Sequence, residues 1–167
     1  LREALEHGKE MDQILCLLQL TKENDPGFDY RVARNAMGKV TAIVWQDRVQ
    51  RGHCQSLLDV VMLDMMKRQQ NSVDWPYCGP VLITGHERKI ATAAEAILVT
   101  ESIDAYVFVM DATYTMSGVD RSLTKVIFSD GIMSVTLLEK LGIQNTCKLI
   151  LDKYHLLDVD WPKAFGG

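Results

Sequence analysis

Two aspartates frame the chemistry this sequence offers. Leu57-Leu58-Asp59-Val60-Val61-Met62-Leu63-Asp64 is an almost unbroken apolar run of strand length that closes on an acid. That is the pattern of a strand buried on both faces whose last residue reaches the carboxyl edge of a sheet. Lys125-Val126-Ile127-Phe128-Ser129-Asp130 repeats the ending, with Gly131 and a helical pattern behind it. Open α/β sheets place their chemistry at that edge. If the two strands are parallel neighbours, roughly 4.8 Å apart, Asp64 and Asp130 open into one space and can share a divalent cation. Carboxylates on rigid elements are the donors hard cations prefer. Taken singly, each Asp also reads as a helix cap or turn former.

Other polar residues offer less. Asp152 and His155, after a late apolar segment, read as metal ligands, as a proton shuttle, or as a polar strand end packed under the tail. Arg31, Arg34, Lys39, Arg48 and Arg51, with Lys67 and Arg68 after the first acid, are a candidate phosphate-contacting surface or a solvated hairpin face. His7, His53 and His86 have no evident partner. Cys16, Cys54, Cys78 and Cys147 are scattered without a CxxC pair, which points to reduced thiols in an intracellular protein and gives no zinc spacing.

The elements that must position these residues follow from periodicity. Residues 1 to 22 carry Leu1, Leu5, Met11, Leu15 and Leu18 at helical spacing, an amphipathic helix that packs on its own domain or binds a partner or a second copy. Asn24-Asp25-Pro26-Gly27 stops it. Segments 28–33 and 40–45 flank Asn35-Ala36-Met37-Gly38 as a β-hairpin, and a short helix over 46–56 leads into the strand at Leu57. Val81–Gly85 and Ile90–Leu98 give two further strands of an antiparallel meander. From Thr100 the period becomes helical and runs to about Ser117, with Ile103, Val107, Met110 and Tyr114 on one face, Thr100 or Ser102 near the N-cap and Gly118 ending the helix. The Val126 strand, a helix over 132–141 and a strand from Cys147 to Leu151 complete the order. A meander followed by right-handed crossovers sets the first strand beside the fourth, in a mixed five-stranded sheet of order 3-2-1-4-5. That is an α/β fold of the ribonuclease H-like kind, with a helix and turn over 1–27, a hairpin and connecting helix over 28–56, and the core over 57–167.

At 167 residues and 47% hydrophobic content, the chain suits one well-buried core. Its net charge of −4 counts against a strongly basic nucleic-acid binder while leaving room for a local basic surface. No apolar stretch approaches the roughly 20 residues of a membrane helix, and no signal-peptide pattern opens the chain.

In order and spacing, several segments resemble the catalytic core of Mutator-like (MULE) transposases, a branch of the DDE transposase superfamily. They are Val44-Trp45, the strand ending in Asp64, Asn71 with Trp75-Pro76, Ile97-Leu98-Val99-Thr100-Glu101-Ser102, and Phe128-Ser129-Asp130-Gly131. The resemblance spans about Phe28 to Leu157. It implies that Asp64 and Asp130 are the first and second catalytic acids, binding Mg²⁺ or Mn²⁺, and that the partner is DNA in a nuclear setting. Cleavage and strand transfer would use two metal ions about 3.5–4 Å apart to activate a water or a 3′-hydroxyl and to stabilise the leaving oxygen. Ribonuclease H enzymes carry a Glu near the position of Glu101, which makes Glu101 an auxiliary metal ligand or a first-turn acid favouring its helix dipole. Cys147 and His155 stand eight residues apart where the family has a close Cys and His pair. The family's third acid, on a later helix, has no counterpart beyond Asp158 and Asp160, so the acid set is incomplete within this sequence. The resemblance therefore also admits a domesticated, non-catalytic module of effector or regulatory type that binds protein or nucleic acid.

Overall fold

The computed structural model describes residues 2–63, 66–67, 77–84, 90–129 and 135–151, without the side chains of 2–10, 66–67, 77–78 and 151. Helix α1 (Arg2–Asn24) leads through a turn into β1 (Asp29–Arg34) and β2 (Val40–Gln46). Asn35 makes that hairpin turn: its side-chain oxygen accepts from the Met37 and Lys39 N–H groups at 3.0 Å, and Gly38 takes the positive φ of 76° that closes it. Helix α2 (Arg48–Leu57) starts at Asp47, whose carboxylate accepts from Gln50 N–H while the Gln50 side chain accepts from Asp47 N–H, a reciprocal cap.

Strand β3 covers only Val60–Leu63. The apolar run beginning at Leu57 is therefore divided between two elements, contrary to the sequence expectation. Its first residues finish α2, where Leu58 turns into the core at 5% exposure, and the Asp59 carbonyl then accepts from the Lys125 and Val126 N–H groups. A short apolar run cannot by itself separate a helix end from a strand. β4 (Met66–Lys67), β5 (Tyr77–Thr84) and β6 (Ile90–Leu98) follow. Helix α3 (Ile103–Ser117) is capped by Ser102, which accepts from Ala105 N–H, and ends at Gly118 in the left-handed region, with Val119 N–H bonded back to the Tyr114 carbonyl. β7 (Val126–Ser129), α4 (Val135–Leu141) and β8 (Lys148–Leu151) close the order.

All strands join one mixed sheet of order β1-β2-β6-β5-β3-β7-β8, with the two-residue β4 on β5. The sheet is wider than five strands because β2 pairs antiparallel with β6, continuing it into the hairpin. The first five strands along this path pair antiparallel down to β3, and β3, β7 and β8 are parallel. β6 thus runs the same way as β3 and β7, and all three end at one edge.

The period of two along the strands sorts their side chains between two cores. Val44, Val61, Leu63, Val81, Ile83, Ala96, Leu98 and Ile127 join α2, α3 and α4 in the larger one. Ile43, on the opposite face of β2, packs with Met11, Leu18 and Phe28 under α1. Helix α3 is buried well beyond one stripe: Tyr106, Val109, Met110, Thr113, Tyr114, Met116 and Ser117 are all enclosed, whereas Ile103 and Val107 are only partly so. Arg121 ties the turn after α3 to both helices, donating to Asp111 at 2.7 Å and to the Leu141 carbonyl at 3.2 Å. Among the described residues no helix is long and apolar enough to cross a membrane.

Candidate functional site

The edge expected to carry the acids is formed by the ends of β3 and β7. These strands are hydrogen-bonded neighbours, parallel, with Leu63 opposite Ser129. Asp64 and Asp130 are the residues that follow each member of that pair, and both lie outside the described residues. On the other side of β3 the register holds through this point. Leu63 pairs with Val81 and Met66 with Cys78, three residues on along each strand.

Glu101 follows the end of β6, at the edge that β3 and β7 share. It sits just before the N-cap Ser102 rather than in the first helical turn, and its half-buried carboxylate accepts from the Tyr106 hydroxyl at 2.6 Å. Among the described residues no group of three His, Cys, Asp or Glu side chains is placed to hold a metal ion. Asp152 and His155 lie outside the described residues, as do His86 and Arg68 and the side chains of His7 and Lys67.

The basic residues separate into two groups with different fates. Arg31 is held at 2.8 Å by Asp29 and also donates to the Tyr30 carbonyl; Arg34 donates to the Gly38 carbonyl at 2.9 Å. Asp29 sits under two cations. Burial alone would raise its pKa, but the Lys22 ammonium at 2.7 Å, the Tyr30 N–H and the Arg31 guanidinium hold it below the ordinary carboxylate value. Arg48 and Arg51 lie instead on the outer face of α2, beside the turn at Pro26 and Gly27 that precedes β1. Five strand residues, roughly 17 Å, part that turn from Arg34 at the far end of β1, so the arginines do not make one continuous surface.

Sequence reasoning missed a buried polar cluster beneath α2. β6 carries a bulge: Val81 pairs with Ala94 and Leu82 with Thr92, leaving Ala93 as the extra residue. The Gln46 side chain, fully buried, donates to the Ala93 carbonyl at 2.7 Å and to the Ser117 hydroxyl at 2.8 Å, and Ser117 donates back to the Gln46 oxygen at 3.2 Å. Cys54 and His53 reach the Ala93 and Thr92 carbonyls, so α2 supplies partners all along the bulge. Burial pushes the Cys54 thiol up, against the opposing hydrogen bonds of Ser117 and Gln46, and leaves it a structural group rather than a nucleophile. The period Ala42, Val44, Gln46 on the buried face was the available signal.

No protein-family model, curated protein or solved structure matches this chain.

Proposed function

We propose that the chain is a transposase-derived ribonuclease H-like domain, by descent a metal-dependent DNA cleavage and strand-transfer core, acting in the nucleus, with Asp64 and Asp130 as its two retained acids. The single observation that carries this reading is the parallel pairing of β3 with β7 in which Leu63 faces Ser129. Were that register to continue by one residue, the two acids would form a side-by-side pair. The run β6-β5-β3-β7-β8, antiparallel through β3 and parallel beyond it, supports a ribonuclease H-like arrangement of order 3-2-1-4-5.

The donor set fits a hard divalent cation, since both groups are carboxylates that follow the ends of neighbouring strands in the sequence. Asp64 and Asp130 would hold Mg²⁺ or Mn²⁺, and such ions supply activation of a nucleophilic oxygen and stabilisation of a leaving one. The chain's own part is to fix the separation of the two carboxylates through the β3–β7 ladder and to keep the β6 end, with Glu101, at the same edge. Glu101 favours a second reading, a non-catalytic module that has kept the fold. Its carboxylate is engaged by the Tyr106 hydroxyl rather than left open for a metal ion.

Thermal unfolding with added Mg²⁺ or Mn²⁺ separates the two. A metal-dependent rise in melting temperature that vanishes in both Asp64→Asn and Asp130→Asn supports the metal centre. Indifference of the parent to metal, with Asn variants at least as stable, supports the binding module instead.

A further inference from the structure

We propose that the cavity between the Pro26–Gly27 turn and the outer face of α2 is a phosphate-binding site, taking a backbone phosphate of the DNA strand. Its chemistry stands on the cavity alone; only the choice of DNA as the phosphate's source rests on the preceding reading. The space measures about 480 Å³ and is lined by Pro26, Gly27, Arg48, Arg51, Gly52 and Gln55. That is more room than a bare oxyanion needs and enough for a phosphate with part of its sugar.

Three observations converge on it. First, the two guanidiniums are uncommitted. Arg31, Arg34 and Arg121 each have a carboxylate or carbonyl partner, whereas the side chains of Arg48 and Arg51 have no hydrogen bond or ion pair among the described residues. Arg51 Nε goes further: it is buried and has no acceptor at all, the only such side-chain atom among the described residues. A buried charged donor left without an acceptor is costly. One helical turn apart, Arg48 and Arg51 present two planar forks to the same space, the geometry that suits phosphate oxygens.

Second, the nearby carboxylates do not neutralise them. Asp25 accepts from Gly27 N–H at 2.7 Å and Asp47 from Gln50 N–H at 2.8 Å, and neither forms an ion pair with Arg48 or Arg51 among the described residues. Gln55 turns its amide away, donating to the Ser117 carbonyl.

Third, glycine stands on both sides of the space. A Cβ on Gly27 would meet the Arg48 Cβ at 2.7 Å, so only glycine lets the turn seat against the Arg48 stem. Gly52 lies inside α2, where glycine weakens a helix, and a Cβ there would meet nothing within 4 Å. No backbone requirement or packing contact explains Gly52; keeping the cavity open does.

Amide chemical shifts during titration with inorganic phosphate, together with anisotropy of a labelled DNA duplex at 50 and 200 mM salt, test the proposal. Saturable phosphate shifts are expected at Gly27, Arg51 and Gly52. The Arg48→Gln/Arg51→Gln double variant should weaken phosphate binding at least tenfold, and Gly52→Leu should do the same while leaving both arginines in place. Arg34→Gln should change neither. The same double variant should lower the salt slope of duplex binding by about 1. Asp64→Asn/Asp130→Asn must keep the phosphate shifts, so loss of the metal reading and loss of this site are separate results. Absent saturation, or equal shifts in the arginine and Gly52 variants, overturns the site. Saturation with duplex binding untouched by the variants overturns DNA as the source and assigns a small phosphate monoester.

Discussion

Gln46 is the side chain on which the junction of α2, α3 and the β6 bulge depends, and its removal gives a calculable result. In Gln46→Leu the side chain keeps its approximate bulk and loses its hydrogen bonds to Ala93, Ser117 and Cys54. The Ser117 hydroxyl is left with neither the 2.8 Å donor nor the 3.2 Å acceptor, and the Ala93 carbonyl loses its 2.7 Å donor, keeping only the Cys54 thiol at 3.8 Å. Both groups are buried, and a buried polar group stripped of its partner costs about 1–3 kcal/mol. The expected loss is about 2–5 kcal/mol, a large part of the roughly 5–15 kcal/mol of a typical domain. Ser117→Ala should cost less, about 1 kcal/mol, because Gln46 retains the Ala93 carbonyl. The two variants together should show a coupling of about 0.5–3 kcal/mol, as neighbours in one network do. Urea unfolding of the four proteins reads all of this from midpoints at constant slope. A Gln46→Leu protein within about 0.5 kcal/mol of the parent, or additive variants, would refute the assignment of the bulge to this cluster.

Three further outcomes follow from the packing and charges. Asp29 has a folded pKa below the ordinary carboxylate value, so its contribution is fully present above that ordinary value and is lost as pH falls from there through the folded pKa. Acid titration of stability should show this component in the parent and not in Asp29→Asn, at no more than about 1 kcal/mol because the cations beside it are partly exposed. Ile43→Ala, at a fully buried position beneath α1, should cost about 2–5 kcal/mol and speed tryptic cleavage at Lys22 as the helix loosens. Alkylation mapped by peptide should label exposed Cys16 quickly and Cys54 and Cys147 slowly, since burial raises both of those thiols, with Cys147 opposed in part by a backbone hydrogen bond from Ile127 and by Lys125.

Where local chemistry decides structure, the residues announced it. Ser102 and Gly118 bracket α3, and Asn35 with Gly38 makes the hairpin turn, because caps and positive-φ turns depend on a few adjacent side chains. The neighbourhood of β3 and β7 was also legible, since a crossover through α3 has a preferred hand. What escaped was non-local. Nothing in Val40–Gln46 says that its open edge will pair with β6 and widen the sheet, or that Ala93 will be extruded as a bulge and need Gln46. Leu57 and Leu58 could end a helix as well as begin a strand, and the core beneath α2 decided it. The row of arginines looked continuous because sequence order hides the length of β1, which carries Arg34 away from Arg48 and Arg51. Glu101 stood at the expected edge, but its pairing with Tyr106 depends on the helix starting at Ile103, two residues after the acid.

Adding Mn²⁺ to isotope-labelled protein and following paramagnetic broadening of the Leu63 and Ser129 amides tests most directly whether two distant aspartates serve one cation. A shared centre predicts that both amides broaden at the same Mn²⁺ concentration, and that Asp64→Asn or Asp130→Asn alone abolishes both effects. Broadening of one amide without the other, or unchanged broadening in the variants, would contradict it.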